Sequence, residues 1–138
     1  IVVPKGHALT TLKTLELQHL AEYPLITYDL GFTGRSHIDD AFRRQGIEPD
    51  VVLTAMDSDV IQQYVSLGLG VGIVASMAAE HLPEGLQAIT ANHLFAPNVP
   101  RVAVRRGAFL REYAIDFIRE LAPRLSLDEL AEAVSWRK

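Results

Sequence analysis

Six consecutive positions, Gly31, Phe32, Thr33, Gly34, Arg35 and Ser36, carry two hydroxyls, a guanidinium and two glycines. Hydroxyls donate to oxyanions, and a guanidinium offers a planar fork of charge-assisted donors that matches them. The apolar stretch Leu25-Ile26-Thr27-Tyr28 precedes the segment, and a helical pattern from about Ser36 to Gln45 follows it. A strand that turns through glycines into a helix leaves the first helical N–H groups unpaired at the positive end of the helix dipole. Gly31 and Gly34 open backbone angles closed to other residues. The chemistry implied is the holding of a small negatively charged molecule, with no group set up to react with it. The same residues also serve as a plain capping turn with no ligand.

Other groups invite catalytic readings that their spacing does not support. Ser36, His37 and Asp39 contain the types of a nucleophile triad, yet consecutive helical residues point in different directions. Asp39 and Asp40 read more simply as acids in a helix's first turn, where the dipole favours them. Gly68-Leu69-Gly70-Val71-Gly72 ends a helical pattern and enters a strand, the reverse of a dinucleotide fingerprint. A tight helix-to-strand return explains it. The five histidines, His7, His19, His37, His81 and His93, share no metal-ligand spacing, so neither metal nor cofactor is expected. Asp57-Ser58-Asp59 marks another helix start, but its carboxylates already answer the dipole and would repel an anion. Arg101, Arg105, Arg106 and Arg111 gather around one turn and read as a solvated rim or interface.

The elements that position these residues follow from apolar periodicity. Ile1–Val3 begins as a strand and breaks at Pro4-Lys5-Gly6. Thr14 is placed to cap a short helix with Leu15, Leu17, Leu20 and Ala21 inward. Ile38, Ala41 and Phe42 give the next helix its apolar face, and Gly46 stops it. Val51–Ala55 and Val71–Ala75 read as short buried strands. Between them Asp57 caps a helix with Val60, Ile61, Tyr64 and Val65 on one face and Gly68 at its end. Apolar strands alternating with amphipathic helices imply an α/β fold with a parallel sheet covered on both faces. Further on, Leu86–Ile89 and Val99–Val104 are expected strands. Phe109–Leu121 is an expected helix packing Leu110, Tyr113, Ala114, Phe117, Ile118 and Leu121 on one side. Ser126 and Glu129 form a capping box for a last helix ending near Trp136, with Leu125 and Leu130 spaced as a hydrophobic staple.

Composition bounds the rest. The 138 residues are 49% hydrophobic and 22% charged, within the range of globular domains and outside that of disordered chains. No apolar run is long enough to span a bilayer, so no membrane partner is expected. The absence of cysteine excludes disulfides and thiolate metal sites and fits a cytoplasmic setting. A net charge of −4 gives this stretch no electrostatic footprint for nucleic acid. Ile1-Val2-Val3 reads as a strand already under way, so a piece of a longer protein is expected.

Several stretches together resemble one family. Tyr23–Tyr28, Gly31–Ser36, Asp59-Val60-Ile61, Leu67–Gly72 and Ala75-Ser76-Met77-Ala78 are similar to the CysB/Cbl group of LysR-type transcriptional regulators. So are Ile1–Pro4 and the run from Phe109-Leu110-Arg111 to Asp116-Phe117-Ile118. The resemblance implies a non-enzymatic effector-binding domain of the periplasmic-binding-protein-like type II fold. Within it, about 25–90 would form the second lobe and about 95–138 would return to the first. It implies a cytoplasmic regulator of cysteine biosynthesis and sulfur assimilation, working as a dimer or tetramer. Its effector, an acetylserine, sulfate or thiosulfate, would sit between the lobes. DNA contact would belong to a winged helix-turn-helix that this chain does not contain. Thr33 matches the anion-contacting threonine of the group, and Phe32, Gly34, Arg35 and Ser36 match its surroundings. The chain departs from the group at Asp29-Leu30, where Thr-Phe is expected, and a carboxylate there favours a ligand that carries an amino group. A transport-type binding protein for a small anion is the alternative on the same fold.

Overall fold

A computed structural model describes residues 1–99, 101–105, 107 and 109–134. The chain divides into two compact units, Ile1–Asn98 and Val99–Lys138. In the first, β1 (Val2–Pro4), β2 (Leu25–Tyr28), β3 (Val51–Ala55), β4 (Val71–Gly72) and β5 (Leu86–Ala88) form one sheet, ordered β3-β2-β4-β1-β5. Between them lie α1 (Leu17–Ala21), α2 (Thr33–Arg44) and α3 (Ser58–Ser66). The sheet is mixed, which corrects the all-parallel expectation. Strand β2 runs parallel to β3 and β4, whereas β1 is antiparallel to β4 and β5.

Each face of the sheet has its own apolar layer. Ile38 and Phe42 of α2 pack with Val3, Leu25, Val71 and Ile73 on one side. On the other, Ile61 and Val65 of α3 pack with Val2, Ile26 and Leu86. Each such side chain, fully removed from water, contributes roughly 1.5–3 kcal/mol before ordering entropy is set against it. The expected helix-to-strand return is present. Gly68 takes a φ of +76° past the last turn of α3, a conformation that costs glycine little.

Several boundaries differ from expectation. Strand β4 spans only Val71–Gly72, short of the expected Ala75; the Ile73 N–H still donates to the Ile26 carbonyl at 2.9 Å, whereas the Ala75 N–H donates to the Tyr28 hydroxyl at 2.9 Å. Strand β3 lies at the sheet's edge with alternate residues exposed; Val52 is 50% exposed, so it is not a buried strand. Thr14 does not cap α1. Glu16 does, its side chain taking the N3 amide while its own N–H donates to His19 Nδ1 at 3.1 Å.

In the second unit α4 (Glu112–Leu121) and α5 (Leu127–Val134) are the regular elements among the described residues. Of the expected strand over 99–104, none of the described residues is in a strand. Pro97 precedes the stretch and Pro100 lies within it, and a proline cannot donate to a ladder. The apolar residues of α4 divide between neighbouring rows. Ile118 is buried, while Tyr113, Phe117 and Leu121 are exposed, against the expectation that all would pack on one side. Ser126 and Glu129 make the expected reciprocal cap: the Ser126 N–H and hydroxyl both donate to Glu129 Oε2 at 2.8 Å, and the Glu129 N–H returns to Ser126 Oγ at 3.2 Å. Arg106 and Trp136 lie outside the described residues, and Arg101, Arg105 and Arg111 are exposed.

Candidate functional site

Helices α2 and α3 leave the carboxyl ends of adjacent parallel strands and cover opposite faces of the sheet. Open α/β sheets form a crevice where successive crossovers diverge in this way. Here that point lies beyond Tyr28 and Ala55, whose strand ends are tied by the Asp29 N–H donating to the Ala55 carbonyl at 3.0 Å.

The loop from Asp29 to Phe32 leads into α2. Gly31 supplies a φ of +99°, and the Phe32 N–H closes the turn on the Asp29 carbonyl at 3.3 Å. Helix α2 begins at Thr33, three residues before the Ser36 expected from the sequence. Thr33 and Gly34 are therefore part of its first turn. Phe32 occupies the N-cap and has no side chain able to accept a hydrogen bond. The Phe32 carbonyl takes the N–H groups of Arg35 at 3.0 Å and Ser36 at 3.3 Å. The Thr33 and Gly34 N–H groups have no acceptor among the described residues. Thr33 is exposed at the same end.

Helix α3 starts differently. Asp57 caps it, its Oδ1 accepting the Val60 N–H at 3.0 Å. Adjacent helix starts thus present opposite chemistry, one with its own carboxylate and one with open donors.

Arg35 is largely spoken for. Its Nε donates to Asp39 Oδ1 at 2.7 Å and its Nη1 to the Tyr28 carbonyl at 3.0 Å, with only 12% of the side chain exposed. The guanidinium ties α2 to the end of β2 before any ligand is considered. The Ser36 hydroxyl donates to the Thr33 carbonyl at 2.8 Å. That bond, together with the Arg35–Asp39 pair, leaves no Ser36–His37–Asp39 relay. Leu30 and Phe32 in the loop after β2, and Met56 just after β3, are exposed apolar side chains.

Sequence reasoning missed the Tyr28 hydroxyl. It lies 2.7 Å from Ser58 Oγ and accepts the Ala75 N–H, while the ring stacks on Phe32 at 6.1 Å. The available signal was an aromatic with a polar tip at the last residue of the strand feeding the glycine turn.

Three of the five histidines do local structural work. His7 accepts the Leu9 N–H at 3.2 Å, His19 caps α1, and His93 Nε2 meets the Leu15 carbonyl at 2.8 Å. Among the described residues no three His, Asp or Glu side chains converge as metal ligands. A groove of about 510 Å³ is lined by Asp59, Gln62, Gln63, His81, Leu82 and Pro83, and none of Phe32–Ser36 borders it. No helix of the described residues is long and apolar enough to cross a membrane.

The family profile of the LysR substrate binding domain matches residues 1–126. The chain belongs to that family. This LysR substrate-binding domain is 54% identical over 132 residues to the transcriptional regulator SsuR of Burkholderia cenocepacia, covering 95% of the chain and 43% of the relative. It is 45% identical over 137 residues to CysB of Haemophilus influenzae, covering 99% of the chain and 42% of the relative. Among solved structures, the cofactor-binding domain of the Cbl regulator superposes with a TM-score of 0.81 at 40% identity, covering 96% of this chain and 59% of that one. The fold is accordingly the periplasmic-binding-protein-like type II fold of LysR effector domains. The chain spans less than half the length of the curated relatives it matches. These relatives are named as transcriptional regulators, and the transport-type alternative gains no support from them.

Proposed function

We propose that this LysR domain senses a small anion or an acetylserine at the amino terminus of α2, as part of a cytoplasmic regulator of sulfur-assimilation genes. One observation carries the reading: α2 begins at an apolar N-cap, so the Thr33 and Gly34 N–H groups stay open beside the Thr33 hydroxyl. A helix start with unused donors favours an external acceptor. The similarity to SsuR and CysB supports the sulfur assignment. Phe32 would wall the site, Thr33 and Gly34 would donate, and Arg35 and Ser36 would hold the first turn in shape.

In this reading residues of about 25–90 belong to a second lobe and those of about 95–138 return to a first. The sensor performs no chemistry. It switches because the ligand prefers one conformation of the regulator, and that conformation sets how the subunits of a dimer or tetramer sit on DNA. DNA contact belongs to residues beyond this chain. Asp29, adjoining the glycine turn, favours a ligand that brings an amino group as well as an acceptor.

Calorimetry on the intact regulator with sulfate, thiosulfate and O-acetylserine tests the site. Thr33→Ala should weaken binding of the active ligand by about 1–3 kcal/mol, the range for a hydrogen bond to a charged group. Unchanged affinity would remove Thr33 from the site.

A further inference from the structure

Three segments meet at the carboxyl end of β2, and a single side chain joins them. The Tyr28 hydroxyl lies 2.7 Å from the hydroxyl of Ser58, the first residue of α3. It also accepts the Ala75 N–H at 2.9 Å, where the chain leaves β4. The Tyr28 carbonyl accepts Arg35 Nη1 at 3.0 Å, and the tyrosine ring lies 3.8 Å from where a Gly34 Cβ would be. The two polar ends of one residue therefore touch the first turn of α2, the first turn of α3 and the segment after β4.

We propose that Tyr28 is a positioning residue, a latch that holds the first turns of α2 and α3 and the Ala75 segment in one arrangement so that occupancy at Thr33 and Gly34 is felt at the other two. The inference rests on the effector reading of the α2 terminus. Its geometric part needs no ligand. The hydroxyl is a donor and an acceptor at once: having accepted the Ala75 N–H, it still has a proton for Ser58 Oγ. Phenylalanine keeps the ring, its packing on Phe32 and the backbone carbonyl that Arg35 uses. It loses only the two ties to α3 and Ala75. Such a cut separates the latch from the fold, because Ile61 and Val65, which anchor α3 to the sheet, lie deeper in the core.

Amide hydrogen exchange on the full chain tests the latch, comparing wild type, Tyr28→Phe and Ser58→Ala, each free and with thiosulfate or O-acetylserine. In the free chain Tyr28→Phe should raise exchange at Ala75 at least tenfold and leave Val65 unchanged. With a bound probe, wild type should gain protection at 33–36, at 58–60 and at Ala75. In Tyr28→Phe the gain should stay confined to 33–36, and Ser58→Ala should lose it at 58–60 while keeping it at Ala75. Unchanged Ala75 exchange in free Tyr28→Phe, or protection that spreads in it as in wild type, would overturn the latch with the site left standing. If neither probe protects 33–36 in wild type, the effector site falls and the latch falls with it. A general loss of protection that includes Val65 would make Tyr28 a structural residue and reject the proposal.

Discussion

Gly70 and Pro24 approach so closely that a Cβ on Gly70 would lie 2.4 Å from the Pro24 carbonyl oxygen. That carbonyl accepts the Val71 N–H at 2.8 Å, the bond that starts β4 against β2. The obstacle is backbone, so no side-chain rotation relieves it. Gly70→Ala should destabilise the domain by about 1–3 kcal/mol, the usual cost of overpacking, read as a lower urea midpoint at constant slope. An unchanged midpoint would mean that β2 and β4 are not held at this distance.

Arg35 and Thr33 should separate cleanly in their effects. Arg35 bonds the Tyr28 carbonyl and Asp39 with a nearly buried guanidinium, while Thr33 stands exposed at the helix start. Arg35→Lys keeps the charge and gives up the fork, so it should cost about 1–2 kcal/mol of stability. Thr33→Ala should stay within about 0.5 kcal/mol of wild type in the same unfolding measurement. Equal stability losses would contradict this division between scaffold and contact.

The parts of this fold legible in the sequence are those whose signals are local. Asp57 caps α3, Gly46 and Gly68 stop their helices with positive φ, and Ser126 with Glu129 opens α5, all as the residue spacing implies. Contacts between distant residues were not legible. Past β4 the Ala75 N–H is taken by the Tyr28 hydroxyl, 47 positions away. The antiparallel course of β1 depends on pairing with Gly72 and with Leu86–Ala88, which no pattern within Val2–Pro4 encodes. At the candidate site the donor-rich segment was visible as residue types. The start of α2 was not, because an apolar Phe32 gives no capping signal.

Thr27 is 1% exposed in the middle of the sheet, and its Oγ1 has no hydrogen-bond partner among the described residues. A buried hydroxyl without a partner costs about 1–3 kcal/mol relative to an apolar group of the same shape. Thr27→Val should therefore raise the unfolding free energy by up to about that amount, read as a higher urea midpoint at constant slope. A clear loss of stability would reveal a hydrogen bond that the hydroxyl makes in solution.

Glu129 gives the chain a pH-dependent helix start. Its carboxylate accepts the backbone N–H and the hydroxyl of Ser126, and those bonds hold its pKa below the ordinary 4.5. The unfolded chain thus binds the proton more readily than the folded one. The cap's contribution is complete above the ordinary carboxylate range, and it disappears as pH falls through the lowered folded value. Proton exchange at the Leu130 amide, corrected for intrinsic pH dependence, should show α5 loosening over that acid window in wild type. In Glu129→Gln, where no carboxylate titrates, the protection should be weaker at neutral pH and should not change across the same window. Identical acid profiles for the two proteins would mean that the Ser126–Glu129 cap does not control the start of α5.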